Sequence, residues 1–383
     1  MSDAIIFDNA RIALPDAIVE GWVAVSGGII RDVGAGKSAH RADRIHDLAG
    51  DLLIPGLIEI HTDHLETHLR PRPKVDWPLA SAVLSFDAQV AACGITTVFD
   101  CVRAGQDADY APLVNEVSQV IAAVSRAQDA GILRAEHKIH LRCEICAEDV
   151  LESVAAAISR FGIDMMSLMD HTPGARQFTS LDAWRTYYGG KSGLSLDQLD
   201  RLMERKHELH ATNYKGNRAR LVELARAHGI VLASHDDSTP DHVGESIAEG
   251  VSIAEFPTSQ EAANLSHEAG ISVMMGAPNV VRGGSHSGNV AAETLARAGV
   301  LDVLSSDYVP ASLLFGAFEL ARRIEGFGLA PALRTITLNP ARAAGLDDRG
   351  EIAAGKRADL VRVTQADALP VVREVYRGGH RVV

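Results

Sequence analysis

A chain of 383 residues, 46% hydrophobic and 23% charged, can bury one large core or two modest ones, which excludes a peptide, a disordered regulator and a small disulfide-stapled scaffold. Its 37 basic and 50 acidic residues give a formal net charge of −13, a field that repels polyanions and argues against general nucleic-acid binding. No run approaches the roughly 18 apolar residues of a membrane span, and residues 1–15 lack a basic start followed by an apolar stretch, so a soluble, cytoplasmic protein without a membrane partner is expected.

Residues 3–53 read as short strands joined by Gly and Asp turns: AIIFDNARIAL, GWVAVSGGIIRDVG and RIHDLAGDLLIPG. The pattern returns at the other end in RGEIAAGKRADLVRVT and PVVREVYRGGHRVV. Segments 1–53 and 345–383 are therefore expected to pair into one small, discontinuous β domain, a β-sandwich. Between them, apolar runs of strand length alternate with helical-period segments, the signature of a parallel sheet covered by helices. Eight such strands are predicted: LLIPGLIEI, ITTVFDC, HKIHLRCEI, IDMMSLMD, GIVLASH, VSIAEFP, ISVMMGAP and LDVLSSD. Eight strands, each followed by a helix, predict a (β/α)₈ TIM barrel over residues 54–344, an α/β fold. A doubly wound open sheet would want a Gly-rich phosphate turn after an early strand, and neither GxGxxG nor GxxxxGK[ST] occurs there. The longest insertion, Thr172 to Asn217, follows the fourth strand and has the length of a functional loop or lid.

The four cysteines, Cys93, Cys101, Cys143 and Cys146, are too few for a disulfide framework and read as buried thiols; the single CxxC has no second pair to complete a zinc ribbon. Histidine is more informative. In His61-Thr62-Asp63, directly after an apolar strand, residues two apart share a face, which sets an imidazole beside a carboxylate. Glu144, His171, His235 and Asp307 stand at the carboxyl ends of four other predicted strands, the barrel face where catalytic groups converge. His64 and His68 read as turn residues. Three imidazoles and three carboxylates suffice for two divalent metal ions sharing a bridging carboxylate, with Zn²⁺ expected and Mn²⁺ or Fe²⁺ compatible. Burying so many charged groups without a cation would cost several kcal/mol each.

PGLIEIHTD, the strand-end glutamate, the later histidines, the aspartate of SSD and the tail LNPARAAGLDDRGEIAAGKRADLVRV together resemble the amidohydrolase superfamily over essentially the whole chain. HTDHLETHLRPRPKVDWP, HLRCEIC, MDHTPGARQF, ASHDDST, AEFPT and GAPNVVRGGSHSGNV resemble its phosphonate-metabolism branch. That resemblance implies hydrolysis of the phosphoanhydride of α-D-ribose 1-methylphosphonate 5-triphosphate to the 5-phosphate and pyrophosphate, in the C–P lyase pathway. The alternative within the superfamily is attack on a C–N bond, by a deaminase or cyclic amidase, and outside catalysis a scaffold that has lost its metal. The chain carries HxD where most members carry HxH, and its histidines fall on strands four and five where members use five and six. Glu255, on the sixth strand, is a candidate substitute ligand.

A triphosphate needs convergent donors despite the acidic total. The glycine-rich loop after the seventh strand offers Arg282, Ser285, His286, Ser287 and Asn289, and barrel loops near strands seven and eight commonly hold phosphate. Arg176 and Lys215, with Arg72, Lys74 and Arg218, are further candidates on other loops. Asp307 is the expected catalytic group, orienting water and carrying its proton. The expected partner is a phosphorylated small molecule, and the sequence leaves a homo-oligomer open.

Overall fold

The protein is described from a computed structural model, which covers all residues except 1–3, 39–41, 73–74, 106–115, 178–180, 182–183, 186–193 and 286–287. In chain order the strands are β1 (Ile5–Ala13), β2 (Ile18–Ser26), β3 (Ile29–Ala35), β4 (Arg44–Asp47), β5 (Leu52–Pro55), β6 (Leu57–Thr62), β7 (Ile95–Ala104), β8 (Glu136–Glu144), β9 (Met165–Met169), β10 (Val231–His235), β11 (Ile253–Glu255), β12 (Ser272–Gly276), β13 (Val303–Ser305), β14 (Leu360–Ala366), β15 (Leu369–Arg377) and β16 (His380–Arg381). Both chain ends contribute to one sheet, ordered β16-β15-β14-β5-β1-β2-β3, with β4 beside β1. Its own core gathers Phe7, Ile12, Val23, Ile30, Leu53 and Tyr376. The chain leaves this sheet at Gly56, where a Cβ would stand 2.1 Å from Thr96 Oγ1, so only glycine fits the crossing.

Strands β6 to β13 form the second sheet in simple chain order, and their pairings are parallel throughout. Seven of the eight runs expected from the sequence are these strands, the first, LLIPGLIEI, divides at Gly56 between β5 of the end sheet and β6, and the TIM barrel is the observed architecture. Its seam closes through a parallel bridge between Thr62 and Asp307. Buried on both faces, the strands read as near-continuous apolar runs.

Alternation along the strands explains the interior. Met165, Ala233, Ile253, Met274 and Val303 pack with Ile58, Ile60 and Phe99 into an apolar barrel floor. Two residues further along, the same faces carry Ser167, His235, Glu255, Gly276 and Ser305. The apolar floor therefore gives way to a polar mouth at the carboxyl ends.

Within the insertion after the fourth strand, Leu196 begins a helix that runs to His228, 33 residues long. Ser195 caps its start by accepting from Gln198 N while Gln198 reaches back to Ser195 N, and Gly229 at φ 65 ends it. Its Leu, Glu, Lys, Arg and Ala content favours helix. Asn213 and Asn217 on this helix donate to the carbonyls of Cys146, Ile145 and Ala147 and so tie it across the end of β8.

Candidate active site

The inward face of β8 presents His140, Arg142 and Glu144 in succession, that of β10 presents His235, and that of β11 presents Glu255. Strand β6 departs from regular pairing, its register shifting between Glu59 and Thr62, and this carries His61 into the mouth. Glu255 is fully buried and accepts from His61 Nδ1 and from His235 Nδ1, each at 2.9 Å, and from Ser167 Oγ at 2.7 Å. The His61 and His235 rings stack at 5.6 Å, with Phe256 edge-on to both. His171 Nδ1 donates to Glu144 Oε2 at 2.6 Å, and its ring lies 5.8 Å from that of His235.

These contacts fix tautomers. A neutral imidazole whose Nδ1–H is held by a carboxylate carries its lone pair on Nε2, so His61, His171 and His235, once neutral, each present a ligand nitrogen with a carboxylate behind it. Glu144, expected beside His171 as a ligand in its own right, is placed behind it, and Glu255 serves both other rings.

Asp307 joins the cluster through the barrel seam: its N–H donates to His61 O at 3.2 Å, and Thr62 Oγ1 donates to its carbonyl at 2.7 Å. Burial, reinforced by the nearby Asp63 charge, pushes the Asp307 carboxyl up to about 6. Asp63 is held by Arg142 Nη1 at 3.3 Å. Burial alone would raise Glu255, but His61 foremost among its imidazole neighbours holds its carboxyl well below the usual range. Burial would likewise lower His235, yet the Asp236 charge and the Glu255 hydrogen bond raise it. His140, enclosed with its Nδ1 donating to Ile60 O at 2.9 Å, is pushed down by burial to about 3 and stays neutral.

All six groups expected as ligands, His61, Asp63, Glu144, His171, His235 and Asp307, thus belong to one neighbourhood at the mouth. The strand count holds, so His171 and His235 do follow the fourth and fifth strands, and the sixth strand carries Glu255 in place of a histidine.

The expected anion-binding groups are more scattered. Arg176 is 1% exposed, its guanidinium engaged by Asp237, by Glu245 at 3.1 Å and by Tyr214 at 3.1 Å. Arg218 is buried against Glu249 at 2.7 Å, and Lys215 is exposed on the long helix. Arg282 is exposed at the end of the helix Ala277–Arg282, with Ser285 and Asn289 half-buried beyond it and Arg72 exposed near the first strand. His286, Ser287 and Lys74 lie outside the described residues. His64 donates from Nδ1 to Tyr308 O and shares Gln89 with His68, beside the cluster.

Sequence reading missed Arg142 and Asp236. Arg142 lies two residues before Glu144 on one strand, so the alternation that found His61 and Asp63 would have found it. Asp236 follows His235 in ASHDDST and is 4% exposed.

A barrel with imidazoles and carboxylates converging at its mouth is the architecture of a metal-dependent hydrolase. Residues 94–383 match the amidohydrolase family model, and the chain belongs to that family. It is 46% identical over 378 residues, 98% of this chain and 100% of the relative, to the alpha-D-ribose 1-methylphosphonate 5-triphosphate diphosphatase of Escherichia coli. It is 27% identical to an imidazolonepropionase of Deinococcus radiodurans, over 94% of this chain and 92% of that one. Among solved structures, the N-acetyl-D-glucosamine-6-phosphate deacetylase of Mycobacterium smegmatis superposes with a TM-score of 0.64 at 19% identity, covering 99% of both chains. The N-isopropylammelide isopropylaminohydrolase of Burkholderia multivorans gives 0.64 at 19% identity, covering 99% of this chain and 97% of that one. These two likenesses concern the fold. Among the described residues no helix is long and apolar enough to cross a membrane.

Proposed function

We propose that this enzyme hydrolyses α-D-ribose 1-methylphosphonate 5-triphosphate to the 5-phosphate and pyrophosphate, a step of phosphonate catabolism, in the cytoplasm. The observation that carries the substrate is the 46% identity along the whole length of the diphosphatase. Support for the chemistry comes from the three imidazoles whose Nε2 lone pairs are left open by carboxylates at Nδ1.

The donor set of imidazoles and carboxylates fits two divalent ions, with Zn²⁺ favoured, held by His61, Asp63, His171, His235 and Asp307. Such ions would supply Lewis-acid activation of water at neutral pH. Glu144 and Glu255 orient the rings. Arg142 balances the extra negative charge that HxD introduces where other members carry a neutral imidazole. Asp307 takes the proton of the attacking water on its carboxylate and returns it toward the departing pyrophosphate. Water adds its oxygen to the α-phosphorus as the bond to the bridging oxygen breaks. Arg282 and the glycine-rich loop after β12, with His286, Ser287, Ser285 and Asn289, would receive the polyphosphate. Arg176 acts at a distance by tying the loop after β9 to Asp237.

The test is pyrophosphate release from the ribose phosphonate triphosphate by metal-reconstituted protein, with ATP, cyclic amides and nucleobases alongside. Turnover of the ribose phosphonate well above the rest is expected. Turnover confined to the C–N substrates would overturn the proposed reaction and leave only the family.

A further inference from the structure

Two adjacent aspartates follow β10, and their surroundings are opposite. Asp237 is saturated: Oδ1 accepts from Arg176, and Oδ2 accepts from Ser234 Oγ at 2.7 Å and from Ser246 Oγ at 3.0 Å. Asp236 is just as enclosed, yet its Oδ2 is buried with no hydrogen-bond partner. A carboxylate oxygen withdrawn from water without a hydrogen bond costs free energy, a cost that a bound cation would offset. Asp236 also holds a left-handed backbone, φ 57, fixed by its N–H donating to Glu255 O at 2.9 Å. Aspartate tolerates that conformation better than most residues, and the turn aims the side chain at the cluster in place of continuing the strand.

What Oδ2 meets is His235 Nε2, at 3.5 Å. Glu255 already holds the Nδ1 proton of this ring, and Glu144 holds that of His171. His171, His235 and Asp236 each bring a ligand atom to within 4.8 Å of the others. Ligands about 2.1 Å from a tetrahedral zinc lie roughly 3.4 Å from one another, close to the separation of Nε2 and Oδ2.

We propose that Asp236 is a metal ligand, completing with His171 and His235 one cation subsite at the barrel mouth. Its carboxylate supplies the anionic ligand that Glu144 and Glu255 cannot while they hold the ring protons. This inference rests on the metal-dependent reading above.

The experiment counts and titrates bound Zn²⁺ in the wild type, Asp236→Asn and Asp236→Ala by chelator competition, with melting curves of the metal-free proteins beside it. Expected are two ions in the wild type and, in both variants, one ion lost or weakened at least tenfold, with metal-free Asp236→Asn melting no lower than the wild type because the orphaned charge has gone. Wild-type count and affinity in Asp236→Asn would overturn the assignment and leave the metal-dependent reading standing. No divalent ion bound by the wild type would overturn both. As a second variant, Asp236→Cys loaded with Co²⁺ should show a thiolate-to-cobalt absorption that the wild type lacks, and a spectrum identical to the wild type would contradict the placement.

Discussion

Arg142 reaches from β8 to Asp63 at the end of β6, its Nη1 3.3 Å from Oδ2, across the mouth of the barrel. The pair accounts for the aspartate of HxD: a carboxylate backed by a guanidinium has nearly the charge of the neutral imidazole it replaces. Arg142 also packs on Met169 Sδ at 3.3 Å and is 9% exposed, so its position is set by the barrel and not by the solvent.

Removing that guanidinium by Arg142→Ala should leave Asp63 and Asp307 facing each other unbalanced. Asp63 is 31% exposed, which limits the cost to stability to about 1–2 kcal/mol. The effect on kcat/KM should be larger, on the order of 100-fold, with kcat carrying most of it. Steady-state kinetics and urea denaturation check the two figures; a loss confined to KM would place Arg142 on the substrate and not on Asp63.

Glu255→Gln tests the ring orientation. A glutamine offers one carbonyl to two imidazoles, and its amide N–H₂ would turn the other ring's Nδ1 into an acceptor, placing the proton on the nitrogen needed for the metal. Metal affinity should fall about 10- to 100-fold. Chelator competition measures it, and unchanged affinity would show that Glu255 does not set the tautomers of His61 and His235.

Asp307→Asn should abolish turnover even in protein saturated with metal, because the substitution keeps the shape and one oxygen ligand but removes the proton acceptor. Metal analysis beside pyrophosphate release separates the two effects. Activity at the wild-type level would remove Asp307 from the chemistry.

His137 is enclosed between Asp100 at 2.8 Å and Asp87 at 3.4 Å. Burial alone would lower it, but Asp100 first and then Asp87 outweigh burial and lift it to about 9. A histidine raised in the folded state stabilises fully below its ordinary value near 6.5, and that contribution is lost as pH rises through about 9. Wild-type stability should therefore decline between pH 7 and 9.5 more steeply than that of His137→Gln, which should itself be weaker by on the order of 2 kcal/mol at pH 7. Denaturation midpoints across that range provide the comparison, and parallel pH profiles would refute the charged assignment.

Where the protein is legible from its sequence, the reason is local. The eight barrel strands announce themselves because strands covered on both faces are continuous apolar runs, and Glu144, His171, His235 and Asp307 stand out because each breaks such a run at its carboxyl end. What stays hidden depends on partners distant along the chain. Arg176 and Arg218 look like free cations until the fold brings Asp237 and Glu249 to them. Glu255 resembles a lost histidine until His61, 194 positions earlier, donates to it. Asp236 and Asp237 are indistinguishable as letters, and only the fold gives one of them serines and an arginine and leaves Oδ2 of the other without a hydrogen bond.

The central claim is that the carboxylate-backed imidazoles at the barrel mouth form a metal site on which anhydride hydrolysis depends. Stripping the protein with a chelator and returning Zn²⁺ in steps, while following pyrophosphate release from α-D-ribose 1-methylphosphonate 5-triphosphate, tests it most directly. Activity should vanish in the stripped protein and return in full by two equivalents of metal. Undiminished turnover by the metal-free protein would contradict it.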